Sequence, residues 1–181
     1  ALPRAFINNG VEVDAFYRSK YHLGVENGFP VSKKGFSPLS TNAAHNPVTN
    51  VSGIATAEYA SAYGVCKKFG NNFHPVSMFQ EYALFLISYA HGKAGTNCAY
   101  ADIAPFLPKG NNNNALADVN DASVTFTSDG YLACALTGSG SNFAKTTHNG
   151  QNCGVADVNG NMWRVCSGLT RAGTTSTEFT Q

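Results

Sequence analysis

The sequence predicts a single α+β domain, spanning residues 1–181, in which antiparallel strands and long ordered loops accompany two helices. Three observations lead to this class. The chain has 181 residues, which is the size of one domain. An Asn-Gly pair between β-prone residues near the N-terminus predicts a hairpin, and two helical patterns follow. The remainder alternates short β-prone pieces with turn residues, so we expect one layer of sheet packed on two helices.

Composition excludes several classes of function. Hydrophobic residues make up 43% of the chain, enough to fill one core, whereas charged residues make up only 13%, against about 25% in ordinary soluble domains. The formal net charge is +1, and lysine and arginine are scattered along the chain. Because a nucleic-acid binder needs a concentrated basic face, we expect no nucleic-acid partner. The longest apolar stretch, residues 82–90, is far shorter than the ~20 residues that span a bilayer, so we expect no membrane insertion.

The elements of the N-terminal half follow in order. Asn9-Gly10 predicts the turn of the first hairpin. The Gly-, Pro-, Ser- and Asn-rich residues 27–51 predict a long ordered loop without strands or helices. The first helix is expected at about residues 53–69, where Lys67, Lys68 and Gly70 give a C-terminal signal.

The second helix has the clearer pattern. Ser77 and Gln80 fit a capping box, and apolar residues recur at helical spacing until His91-Gly92, where we expect the helix to end. Because its other positions are also apolar, the helix is hydrophobic nearly all round and is predicted to lie in the middle of the domain.

The last third is predicted to be turns and strands, with β-prone pieces at residues 122–127, 131–136 and 154–166. The five cysteines form an odd set without Cys-x-x-Cys spacing. This pattern favours reduced thiols over a zinc site or a disulfide framework, although one bridge among Cys134, Cys153 and Cys166 stays open.

No common catalytic motif occurs in the sequence: we find no phosphate-binding loop, no His-Glu-x-x-His pair and no Gly-x-Ser-x-Gly elbow. We therefore expect no enzymatic activity, no firmly bound metal and no cofactor. Residues 157–161 leave two interpretations, a turn stabilised by Asx hydrogen bonds or a weak calcium site near Asp157. His148 also has two interpretations: it is a solvated side chain on an exposed turn, or it contacts a ligand.

Three segments together resemble a known family. Leu136-Thr-Gly-Ser-Gly140, Thr147-His-Asn-Gly150 and Gly154-Val-Ala-Asp-Val-Asn-Gly-Asn-Met-Trp163 are similar to the closing motifs of the C-type-lectin-fold group that contains the formylglycine-generating-enzyme (sulfatase-modifying) domain, bacteriophage virion proteins and the variable proteins of diversity-generating retroelements. Residues 6–21 are similar to the opening hairpin of that group. The chain departs from it at Arg164 and Val165, where the family usually has Glu and an aromatic residue, and it lacks the reactive cysteine pair of the enzymes.

The resemblance implies a C-type-lectin-like fold and a non-enzymatic function as a bacteriophage virion structural protein, either a tail receptor-binding protein or a capsid or tail decoration protein. A retroelement-diversified ligand-binding display protein and a carbohydrate-binding module are the alternatives. The implied partners are other virion proteins, copies of the chain itself and a host cell-surface glycan or protein. The implied location is the virion, after synthesis in the host cytoplasm.

Residues 138–152 combine one aromatic side chain with many short hydrogen-bonding groups, as loop-built binding surfaces do. We expect partner binding there by six residues: Asn142, Phe143, Lys145, His148, Asn149 and Gln151. The resemblance adds Arg164, Ser167 and Arg171 to this face. We expect a second set to fix the loops, with the only tryptophan buried: Asn159, Gly160, Asn161 and Trp163. The competing interpretation is that these loops are solvated turns or face a neighbouring subunit.

Overall fold

The computed structural model describes residues 3–8, 10–54, 58–96, 108–111, 116, 118, 121–131, 134–162, 164, 166–167, 170–171 and 179–180. In this part the chain mixes helices with small antiparallel sheets, as the α+β class predicts.

The strands of the described part form three separate two-stranded antiparallel sheets rather than the expected single layer. They are β1 (Ile7–Asn8) with β2 (Val11–Glu12), β3 (Gly24–Glu26) with β4 (Phe29–Val31), and β5 (Thr170–Arg171) with β6 (Phe179–Thr180). The first pair confirms the hairpin predicted at Asn9-Gly10.

The second pair shows that the prediction of a loop without elements over residues 27–51 is wrong. Its turn is Asn27-Gly28, with φ of +52° and +77°, the left-handed pair that a two-residue type I′ hairpin turn requires. The segment also contains a 3-10 helix, Ala43–His45, and the short helix α1 (Pro47–Asn50).

The two predicted helices are present as α2 (Glu58–Lys67) and α3 (Met78–Thr96). The capping box is confirmed: the Ser77 N–H donates to Gln80 Oε1 at 2.9 Å, and the Gln80 N–H donates to Ser77 Oγ at 3.2 Å. The expected end at His91-Gly92 is wrong, because α3 continues to Thr96. A single glycine inside a helix costs only about 1 kcal/mol, which does not stop a helix of this length.

The expectation that α3 lies in the middle of the domain is also wrong. Ala83, Leu84 and Ser88 are buried, but five large apolar side chains of the helix are between 37% and 58% exposed: Met78, Tyr82, Phe85, Leu86 and Ile87. A helix that is apolar on every side gives no signal for which side packs inward, so its pattern does not fix its burial.

The last third is more irregular than predicted. In its described residues the β-prone pieces contribute only two isolated bridges, Ser128 with Ala135 and Thr147 with Ala156. A third isolated bridge, Ser77 with Ser167, lies outside these pieces. A small apolar core nevertheless lies here, formed by Val124, Phe126 and Ala135 with Leu116 packed against it. Many of the other buried residues are polar. Their hydrogen bonds, described below, position the loops.

Two further predictions concern cysteines and membranes. Cys66, Cys134, Cys153 and Cys166 are free thiols, and Cys98 lies outside the described residues. None of the described helices combines the length and apolar character needed to cross a bilayer.

Candidate functional site

The predicted binding segment, residues 138–152, is called the display loop below. It begins at Gly138, where φ is +61° and an added Cβ would lie 2.5 Å from Tyr21 Cε1, so only glycine fits. The Gly138 N–H donates to Oδ2 of buried Asp157 at 2.7 Å. A 3-10 helix over Phe143–Thr146 follows, entered through Asn142 in the left-handed conformation (φ +54°).

Buried threonines brace the display loop from inside. Thr146 and Thr147 are 0% and 1% exposed. Thr147 Oγ1 lies 2.8 Å from the carbonyl oxygens of both Ala144 and Gln151, so its proton can bond to either one. The loop is therefore irregular in shape but fixed in position by hydrogen bonds that end on its own main chain.

Three of the predicted partner-binding residues are exposed on this frame: Asn142, Lys145 and Gln151. Lys145 pairs with the carboxylate of Asp121 at 2.7 Å. This pairing and the Ser123 hydrogen bonds lower the pKa of Asp121 to about 2. Because these three side chains are exposed, a partner can contact them without a change in the loop backbone.

Phe143 is half-buried and sits among cations. Its ring centroid lies 5.4 Å from Lys20 Nζ and 5.2 Å from Lys34 Nζ. The Tyr21 ring lies 6.1 Å away in a tilted arrangement.

His148 and Asn149 have internal roles. His148 is half-buried, its Nδ1 accepts the Val155 N–H at 2.9 Å, and burial lowers its pKa. Asn149 Oδ1 accepts the Gln151 N–H at 3.1 Å, forming an Asx turn. The interpretation of His148 as a fully solvated side chain is therefore wrong, because one ring nitrogen is used by the loop itself.

The placement of Ser167 on the exposed face is wrong. Ser167 is 7% exposed, and its hydroxyl and N–H donate to the carbonyls of Pro75 and Val76, both at 2.8 Å. Arg164 is half-buried and lies 3.6 Å from Glu81 Oε1, and its other nitrogen donates to the Val158 carbonyl. Both side chains hold the C-terminal segment against the start of α3.

The loop-fixing role of residues 159–161 is supported by their contacts. Asn161 Oδ1 accepts the Ala135 N–H at 2.9 Å, and Asn159 Nδ2 donates to the Pro108 carbonyl at 3.0 Å. Gly160 has φ +71°, and an added Cβ would lie 2.1 Å from the Asn111 carbonyl oxygen. Trp163 lies outside the described residues, as does the Arg171 side chain.

The side chains of residues 157–161 do not form the expected Asx turn, because those of Asp157, Asn159 and Asn161 bond to distant main chain at Gly138, Pro108 and Ala135. The weak calcium site near Asp157 stays a prediction. Asp157 is buried, which raises the pKa of its carboxyl, and one of its oxygens is bonded to Gly138. The side-chain oxygen of Asn161 is likewise used on main chain, whereas calcium needs about 6–8 oxygen ligands. The described residues contain no group of three His, Cys, Asp or Glu side chains that could hold a metal.

A half-buried cluster of charged side chains joins the C-terminal segment to α3 and to Arg18. Glu81 Oε1 is 2.8 Å from Arg18 and 3.6 Å from Arg164. Close by, His22 Nε2 lies 3.1 Å from the Asp157 carbonyl oxygen and donates to it in the Nε2–H tautomer. Burial, followed by the two arginine charges, lowers the pKa of His22 to about 4, so the ring is neutral at pH 7.

The sequence analysis missed one arrangement, a row of Ser40, His45 and Asp129. Ser40 Oγ lies 3.0 Å from His45 Nδ1, and His45 Nε2 lies 3.4 Å from Asp129 Oδ2. These are the residue types of a hydrolase triad, in which the acid must hydrogen-bond the imidazole. Here that contact is not a hydrogen bond. Ser40 Oγ also accepts the Asn42 N–H at 3.1 Å. The contacts of Ser40 are therefore better explained as hydrogen bonds that fix the conformation of residues 40–45.

No protein-family model matches the chain, and no curated protein matches it at significant similarity. The geometry of the display loop is therefore the basis for the function considered next.

Proposed function

We propose that this chain is a non-enzymatic bacteriophage virion protein with a C-type-lectin-like fold, which uses its display loop to bind a receptor on the host cell. The fold assignment is supported by the resemblance in the sequence, and by the mixed helix and antiparallel-sheet architecture of the described part.

One observation carries the proposal: the backbone of the display loop is held by side chains other than the exposed predicted binding residues Asn142, Lys145 and Gln151. Asp157 holds Gly138, and Thr147 holds Ala144 and Gln151. The exposed Asn142 is not used as a side-chain cap for the 3-10 helix that follows it. A surface built in this way presents recognition groups that the fold does not need, which suits a binding protein.

Two measurements test the proposal. Antibody against the chain should detect it in purified phage particles. Labelled protein should bind host bacteria. Changing Asn142 to glycine, which tolerates the left-handed backbone, and Lys145 to alanine should together weaken that binding at least about fivefold. Changing Asn71 and Lys68, which are also one exposed asparagine and one exposed lysine, should alter binding by less than about twofold.

Several outcomes would decide against the proposal. Absence of the chain from particles would overturn the virion assignment. Equal binding by the two paired variants, with unchanged melting temperatures, would overturn the role of the display loop. Loss of the Asn142 and Lys145 variant from particles without loss of cell binding would assign the loop to assembly instead.

The non-enzymatic part has its own test at Ser40. Because the Ser40 hydroxyl is engaged by His45 and Asn42, a fluorophosphonate probe for activated serines should leave the protein unlabelled. Labelling that disappears in Ser40→Ala would show an activated nucleophile and overturn this part of the proposal.

A further inference from the structure

Lys20, Lys34, Tyr21 and Phe143 together form what is called the cationic patch below. The two ammonium groups lie 5.4 and 5.2 Å from one ring centroid, so an oligomeric ligand that covers the ring can reach both. Lys34 is exposed, and the other three side chains are half-buried. Phe143 belongs both to the cationic patch and to the display loop, so the two are adjacent.

The positive charge of the patch is not balanced. Four other cations of the described part have carboxylate partners: Lys33 with Glu26, Lys145 with Asp121, and Arg18 and Arg164 with Glu81. No carboxylate of a described residue lies within 4 Å of Lys20 or Lys34 Nζ; Lys20 donates instead to the Asn152 carbonyl. Two positive charges beside one ring, without a carboxylate partner, create a positive potential that attracts an anion.

The main chain around both lysines is held by hydrogen bonds to residues of the last third of the chain. The Lys20 carbonyl accepts the Ala156 N–H at 2.8 Å. On either side of Lys34, fully buried Thr137 donates its hydroxyl to the Lys33 carbonyl at 2.6 Å and accepts the Phe36 N–H at 3.0 Å. The two main-chain anchors are in place before a ligand arrives, which lowers the entropy cost of binding.

We propose that the cationic patch binds a carboxylate-bearing sugar unit of a host surface polysaccharide. This inference rests on the proposed function and names its ligand class. Ammonium groups bind carboxylates, and exposed Asn142, next to Phe143 in the sequence, supplies amide groups of the kind that bond sugar hydroxyls. Two cations are too few for a nucleic-acid backbone, which is bound through about 6–10 phosphate contacts.

The probe is an oligomer of galacturonic acid, compared with its methyl ester, which has the same shape without the charge. We expect the acid to bind at least about tenfold more tightly than the ester at low salt. Lys20→Gln and Lys34→Gln should each weaken binding about fivefold, and Lys34→Arg should restore it to within about twofold. Lys68→Gln is the matched control, since Lys68 is exposed outside the patch, and should leave binding unchanged.

A polyglutamate peptide of equal charge distinguishes a sugar site from a general anion site. Equal affinity for the peptide and the oligomer, or for the acid and its ester, would overturn the inference. So would failure of the oligomer to bind together with unchanged binding of Lys20→Gln and Lys34→Gln to host cells. In those cases the proposed function still stands if the chain occurs in particles and the Asn142 and Lys145 variant loses cell binding.

Discussion

Protonation of His22 tests how the N-terminal segment is attached to the last third of the chain. The pKa of His22 falls from 6.5 to about 4 in the folded protein because of burial and the charges of Arg164 and Arg18. Between these two values the unfolded chain binds a proton that the folded chain does not. The free energy of unfolding therefore rises as the pH is raised across this window, and it falls as the pH is lowered through it. From pH 7 to pH 4 the loss from this one residue is about 3 kcal/mol.

The assay is urea unfolding at several values between pH 4 and pH 7, with His22→Gln as the comparison. Glutamine keeps an N–H donor for the Asp157 carbonyl but does not titrate. The variant should lack a slope that approaches about 1.4 kcal/mol per pH unit in the wild type. His148 and Asp157 also titrate with shifted pKa values, but they are present in both proteins and cancel in the difference. Equal slopes for the two proteins would refute the reasoning, as would an NMR titration of His22 with a midpoint near 6.5.

Three further predictions concern stability. In urea unfolding, Gly160→Ala should destabilise the fold about 2 kcal/mol more than Gly130→Ala. Both glycines have positive φ, but only at Gly160 would the new Cβ overlap main-chain atoms, those of Asn111. Equal losses in the two variants would contradict this prediction. Ser77→Ala removes half of the capping box and should lower the free energy of unfolding by about 1 kcal/mol, and an unchanged melting temperature would show that the cap is dispensable. Burial raises the pKa of Asp157 above 3.8, so charging this carboxyl weakens the fold as the pH rises; the stability of Asp157→Asn relative to wild type should therefore increase from pH 4 to pH 7, and a decrease would contradict the shift.

Sequence reasoning succeeded where an element depends on neighbouring residues. The capping box of Ser77 and Gln80 is a local exchange of hydrogen bonds over three positions, and it was predictable for that reason. The hairpin at Asn27-Gly28 carries the same Asn-Gly signal as the one at Asn9-Gly10, and it could have been found from the sequence. The surrounding glycines, prolines and serines concealed it.

The irregular conformation of the display loop was predictable, but the contacts of each of its side chains were not. The display loop could be located because its composition is that of a loop surface. The structural use of His148 depends on Val155, and that of Ser167 depends on Pro75, 92 positions away. The cationic patch joins Lys20 and Lys34 to Phe143 across more than one hundred residues of sequence. Nothing in a single sequence indicates which distant groups will meet.

The anchoring of residues 20–36 on residues 137–157 also has a consequence for synthesis. The Lys20 carbonyl, the His22 ring and the Gly35 N–H find their partners at Ala156, Asp157 and Thr137. At about 5–20 residues per second, the ribosome needs roughly 5–30 s to make the intervening chain. During that time these groups lack their native partners. Contacts of such long sequence separation also form slowly, so we expect the nascent N-terminal segment to stay open to proteases until the last third has emerged.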